Sequence, residues 1–207
     1  MSPRRALLGL ARFMTRNLLL TLSLVLLVAS TFFLVRAESF RRSIRRRQTD
    51  FFETGDRVRI ERVIDGDEVV VVGRDKRQTV VRLLGIKSFD PTRHDPLLSH
   101  YGTICVDYIK SNYLDRDARL AIGEPRTDTR GRLLAYLELG EDDVGLTLVR
   151  RGLTLVYNRY DFSRVQKYAQ AEVRAMKART GLWSNSGVAT RAQALKAVWD
   201  EERSRDD

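Results

Sequence analysis

The chain has 207 residues, with 37 Lys or Arg against 27 Asp or Glu, two histidines and one cysteine. Its net charge of +10 would suggest a nucleic-acid binder, yet residues 1–47 hold ten arginines and one acid, leaving 27 basic and 26 acidic side chains in 48–207. That distribution excludes a bulk electrostatic case for polyanion binding by the second part, and the lone Cys105 excludes an internal disulfide.

Residues 1–16 form a basic tail. Asn17 to Val35 is a run of nineteen residues without a charge, bounded by Arg16 and Arg36. At about 1.5 Å per residue it reaches across a hydrocarbon core of about 30 Å, so 17–35 reads as a transmembrane helix. A cleaved signal peptide and a mitochondrial presequence are the alternatives. The run is longer than a usual signal core and is followed by arginines at 36, 41, 42, 45, 46 and 47, which oppose export. Those arginines and the span imply contact with membrane lipid. Six follow the span against four before it, so a single-pass protein with a cytoplasmic or matrix-facing domain is the orientation expected.

Residues 36–50 read as a basic juxtamembrane linker and 51–184 as one compact domain. Val58, Ile60 and Val63-Ile64 make a first strand, stopped by Asp65-Gly66-Asp67, and Glu68–Val72 makes a second. Gly73–Lys76 turns into a third strand over Thr79–Ile86. A polar loop through Asp90–Pro96 precedes a helix near Ser99–Tyr113, with Ile104, Tyr108 and Ile109 inward. Cys105 reads as a small buried side chain. Arg119–Ile122 and Arg132–Leu137 are strands four and five.

Val144–Arg151 forms a short helix closed by Gly152. A longer one is capped by Asp161, with Phe162, Val165, Ala169, Val173 and Met176 on one face. Leu182-Trp183 docks after Gly181. The end of the chain, 185–207, reads as a charged surface helix fraying into solvent, with docking as the alternative. The expected class is α+β, a five-stranded OB-type β-barrel with three helices, preceded by one transmembrane helix.

Six motifs occur in order: Val63-Ile64-Asp65-Gly66-Asp67, Val81-Arg82-Leu83-Leu84-Gly85-Ile86, Tyr101-Gly102, Asp128-x-x-Gly131-Arg132-x-x-Ala135-Tyr136, Leu148-Val149-Arg150-x-Gly152-Leu153 and Gly181-Leu182-Trp183-Ser184. Together they resemble the thermonuclease (staphylococcal-nuclease-like) family over residues 56–184. The resemblance implies calcium-dependent phosphodiester hydrolysis in DNA or RNA, with carboxylate ligands, a water-positioning glutamate and two phosphate-holding arginines. On its pattern Asp67 is the first metal carboxylate, and Arg82 and Arg132 are the phosphate arginines. Asp90 stands where the family has its glutamate and is the remaining candidate for catalysis and metal binding.

The departures matter as much. Lys87 stands where the family has a second metal carboxylate, which argues against calcium as cofactor. Asp90 is one methylene shorter than glutamate, a loss of positioning that can cost orders of magnitude in rate. Glu68 faces away from Asp67 by strand alternation and reads as structural. The expected function is therefore a membrane-anchored thermonuclease-like domain with an eroded metal site, a non-catalytic scaffold with protein partners in a membrane assembly. The alternative is a metal-dependent nuclease at the membrane. A third reading has Lys87 standing in for the metal in an anion or nucleic-acid site that does not cut.

Overall fold

The computed structural model describes residues 20, 22–40, 49–92 and 94–206. The predicted basic tail 1–16 and the arginines of 41–47 lie outside the described residues. Two compact units divide the chain, residues 1–44 and 45–207. In the first, helix α1 runs Leu22–Phe40, nineteen residues long and apolar enough to cross a membrane. It extends past the predicted end at Val35, because Arg36, Glu38 and Ser39 are compatible with helical backbone. Ser39 bonds back to the Val35 carbonyl at 2.9 Å.

The second unit is a closed five-stranded β-barrel with helices around it. Its long strands are β1 (Arg57–Asp65), β2 (Glu68–Gly73), β3 (Gln78–Leu83), β5 (Asp117–Thr127) and β6 (Leu133–Leu139). They pair in the order β3-β2-β1-β5-β6, and a parallel β3–β6 ladder closes the ring. Alternation explains β1: Val58, Ile60 and Val63 are buried while Arg57, Arg59 and Arg62 are exposed. Register shifts between Ile60 and Arg62 and between Val63 and Asp65 bend the strand, as barrel closure requires.

The third strand is shorter than predicted. Gly85, at φ +78°, breaks it, and a Cβ there would meet the Phe162 ring at 2.5 Å. Ile86–Lys87 therefore leaves the barrel as β4 and pairs with β8 (Leu155–Val156) in a separate two-stranded ladder. A two-residue β7 (Asp142–Asp143) follows β6.

Helix α2 (Pro96–Tyr113) starts three residues before the predicted Ser99. The Asp95 carboxylate accepts from the Leu97 and Leu98 N–H groups, and Pro96 opens the helix. Cys105, Val106 and Ile109 face the core, whereas Ile104 is exposed. Helix α3 (Val144–Arg150) is capped by Asp143. Helix α4 (Val165–Lys177) begins four residues after the predicted cap, and Asp161 instead pairs with Arg203 at 2.5 Å. Its buried face is Tyr168, Ala171, Glu172 and Ala175, while the predicted Val173 is 47% exposed. A 3-10 turn (Gly181–Ser184) buries Leu182 and Trp183.

The end of the chain does not fray into solvent. Helix α5 (Ser186–Asp206) buries Val188, Ala192 and Trp199 in a second core with Phe89, Leu98, Leu155 and Trp183. With the partly buried Leu195 these positions recur every three or four residues, a docking stripe that the charged residues around it conceal.

Candidate functional site

Three strands converge on Asp67. It closes the tight β1–β2 turn, and Gly66 before it packs so closely that a Cβ would lie 2.6 Å from Cys105 Sγ and 2.7 Å from Ser88 Cβ. Only glycine lets the turn seat Asp67 against the barrel wall. The Asp67 side chain is 1% exposed. Its Oδ2 pairs with Arg82 Nη2 at 2.9 Å and Lys87 Nζ at 3.2 Å, and accepts the Ser88 N–H at 3.0 Å. Burial alone would push this carboxyl up, but the Arg82 guanidinium, a hydrogen bond from Asp65 and the Lys87 ammonium hold it below the usual carboxylate range.

Asp65 behaves oppositely. Burial, a hydrogen bond to Asp67 and repulsion from its charge raise Asp65 to about 7. The two carboxyls share a hydrogen bond for which Asp65 holds the proton. The Oδ1 of Asp67 is buried and has no conventional hydrogen-bond donor. Asp65 also accepts the Asp67 N–H at 2.8 Å, so it braces the turn through both its oxygens' chemistry.

Arg82 is held as firmly as its partner. The β2–β3 register sets it opposite Glu68, and the β3–β6 register sets it opposite Leu134. Its guanidinium donates to the carbonyls of Asp67 (3.1 Å), Leu83 (3.0 Å) and Ile86 (2.7 Å) besides pairing with Asp67. An arginine so bonded ties the β1–β2 turn to the backbones of β3 and β4. Arg132 enters just before Leu133, which pairs with Val81, and so reaches the same neighbourhood. It binds Glu68 at 2.5 Å and Asp128 at 2.5 Å. Despite burial, Asp128 and then Glu68 hold its charge above the ordinary arginine value. The Glu68 carboxylate thus serves Arg132, while Lys87 goes to Asp67.

Asp90 is exposed on the loop after β4. Its Oδ1 accepts from the Thr92 N–H at 2.7 Å and the Thr92 hydroxyl at 2.6 Å, an Asx turn leading toward α2. Arg82, Lys87 and Asp67 therefore meet directly, while Arg132 holds Glu68, which the β2–β3 register sets opposite Arg82. Tyr157 follows β8: its N–H donates to the Gly85 carbonyl at 2.9 Å, and burial and then the neighbouring Tyr160 raise its phenol against Arg159 and Arg82. Among the described residues, no three His, Cys, Asp or Glu side chains form a group able to hold a metal ion.

Sequence reasoning gave no role to Asp65, Ser88 or Asp128. The Asp128 role was detectable, because a carboxylate four residues before Arg132 is a ready partner. The Asp65–Asp67 coupling needs the closed turn and leaves no sequence signal of its own.

Residues 80–185 match the family model described as staphylococcal nuclease homologue. The span contains Arg82, Lys87, Asp90 and Arg132, while Asp67 and α5 lie beyond it. Over 128 residues the chain is 28% identical to a thermonuclease of Staphylococcus hyicus, covering 61% of this chain and 75% of that protein. A thermonuclease of Staphylococcus intermedius is 28% identical over 131 residues, covering 62% and 77%. Endonuclease YncB of Bacillus subtilis (strain 168) is 30% identical over 139 residues, 64% of each chain. With a family model matched over half its length and a closed barrel beneath the match, the chain belongs to the family of staphylococcal nuclease homologues.

Proposed function

We propose that this chain is a membrane-anchored member of the family in which Lys87 takes the place of a bound cation, making the barrel a non-catalytic module. One observation carries the reading: Lys87 Nζ lies 3.2 Å from Asp67 Oδ2. Calcium seeks six to eight oxygen ligands, several of them carboxylates. Here the candidate carboxylate already spends Oδ2 on two cations and an amide, and burial keeps its neighbour Asp65 protonated up to about pH 7. The donor set does not fit calcium, so no hydrolytic step is derived through it. What remains is a compact group of Arg82, Lys87 and Arg132 against Asp67, Glu68 and Asp128, charge-balanced and rigid. Such a group suits a scaffold that meets protein partners at a membrane.

The nuclease reading is favoured by a different observation. Arg82 and Arg132 both border one cluster, and the named relatives are a thermonuclease and an endonuclease. The test is cleavage of single-stranded DNA and RNA by the full chain in detergent, with calcium, magnesium, manganese or chelator. No cleavage under any metal is expected, with calcium binding measured by calorimetry appearing only in Lys87→Asp. Metal-dependent cleavage that Arg132→Gln abolishes would overturn the proposal in favour of a tethered nuclease. Arg132 is the better control, since removing Arg82 would also break the backbone bonds that hold three strands.

A further inference from the structure

The near-neutral balance of residues 48–207 conceals a local asymmetry. Helices α3 and α4 lie side by side, with Gly145 against Tyr168 near their amino ends. At their carboxyl ends the Leu182 N–H donates to the Gly152 carbonyl at 2.8 Å, and Gly181 packs on the Arg151 carbonyl. This contact gathers Arg150 and Arg151 from α3 with Arg174, Lys177 and Arg179 from α4 and its exit, all exposed. Among the described residues no carboxylate lies within ion-pair distance of any of the five. Glu172, the acid on the same helix, is buried and paired with Lys196.

Cations at helix carboxyl ends compensate the macrodipole, and one per helix suffices for that. Five repel one another, and the surplus calls for an external anion. Four are arginines, whose planar fork suits phosphate oxygens. Polynucleotide platforms combine such charges with bare aromatic faces for stacking. Here the aromatic beside them, Tyr108, is covered by the Arg151 guanidinium at 4.9 Å. The chain itself brings a different polyanion close. From Phe40, the end of α1, to Phe52 the backbone can span at most about 40 Å.

We propose that this basic face docks on the anionic phospholipid headgroups of the membrane that holds the chain. The proposal rests on the anchor reading of α1. The tether supplies a high effective concentration of headgroups, and the five cations select one orientation of the domain among those the tether allows.

The test uses the full chain reconstituted in phosphatidylcholine vesicles, with or without about one quarter phosphatidylserine, enough to give an anionic surface. Ala178→Cys, exposed beside the face, carries a donor fluorophore, and labelled headgroups carry the acceptor. Native Cys105 is fully buried, and burial pushes its thiol up, so it stays unlabelled. Energy transfer is expected to rise about twofold in anionic vesicles and to fall to the neutral level in ~0.5 M salt. The Arg174→Gln, Lys177→Gln, Arg179→Gln variant, changed only at exposed positions, should not respond to lipid charge.

Equal transfer from neutral and anionic vesicles would overturn the docking face. So would an oligonucleotide that binds the chain through the same three residues, which would assign the face to nucleic acid. A chain stripped from neutral vesicles by alkaline carbonate would refute the anchor instead. The face would then be judged by sedimentation, where anionic vesicles must still retain the chain and not the variant.

Discussion

Asp65 is the residue whose charge state the fold controls most. Its carboxyl is raised from the ordinary 3.8 to about 7 by burial first, then by the hydrogen bond to Asp67 and its charge. An acid with a raised folded pKa stabilises the fold while protonated. That contribution is full below about pH 4 and is lost as pH climbs through about 7. Asp65→Asn keeps an oxygen for the Asp67 N–H and an N–H for its carboxylate, but never ionises. The variant should match the parent near pH 4 and exceed it by ~1–2 kcal/mol at pH 8, after allowing for solvent screening of a partly exposed group. Urea midpoints across that range measure it, and a difference independent of pH would refute the coupling. At this scale the sequence was readable where charge interrupts an apolar pattern, as Arg82 does. It was opaque where one acid raises its neighbour two positions away, because that effect depends on turn closure and burial.

Helix α5 shows how an element can be misread when its polar residues are counted as solvated. Lys196 pairs with the buried Glu172 at 2.8 Å and donates to the Val156 carbonyl at 3.0 Å. Glu172 in turn accepts the Val156 N–H at 2.8 Å. Arg203 bonds the Asn158 carbonyl at 3.2 Å, Arg159 pairs with Glu202 at 2.8 Å, and Trp199 meets the Tyr157 ring edge-on at 4.8 Å. These contacts fix the segment that follows β8, and β8 pairs with the β4 strand that carries Lys87. Lys196→Met should cost about 3–4 kcal/mol, since it strands a buried carboxylate. Adding Glu172→Gln should restore most of that in chemical denaturation, and a double variant no better than the single would sink the pairing argument. The same logic explains the misjudged face of α4. Tyr168 and Glu172 are buried because Asp143 and Lys196 satisfy their polar atoms. Hydropathy periodicity registers apolar side chains and cannot register a partner supplied by a distant element. The β1–β2 hairpin, by contrast, was legible to within one residue at each strand end, because Asp-Gly between two β-branched runs fixes a turn locally.

The whole molecule divides into two units at the arginine-rich connection, and each has its own organisation. The second contains the complete barrel and both hydrophobic clusters. Residues 45–207 alone should therefore melt within about 2 °C of the full chain's domain, since no core residue is lost. A drop of ten degrees or more by calorimetry would mean that the first unit contributes packing. The OB-type topology was readable in advance because its strands are short, regularly spaced and separated by strong turns. The departure of β4 from the barrel was not, because Gly85 looks like any turn glycine until Phe162 is seen beneath it.

The entry to the barrel has a mechanical meaning. Thr49 is fully buried and Phe52 nearly so, and the Arg126 guanidinium of β5 binds the carbonyls of both. Gly55 N–H adds a bond to Leu120 of the same strand at 2.8 Å. A pull arriving along the preceding residues is thus delivered to β5 through a charged clamp before β1 takes any load. Force enters the sheet at β5 first, and the hairpin that seats Asp67 lies behind that clamp. Tension entering the domain at its amino end is in this way relieved at the entry, as a cable is at its plug.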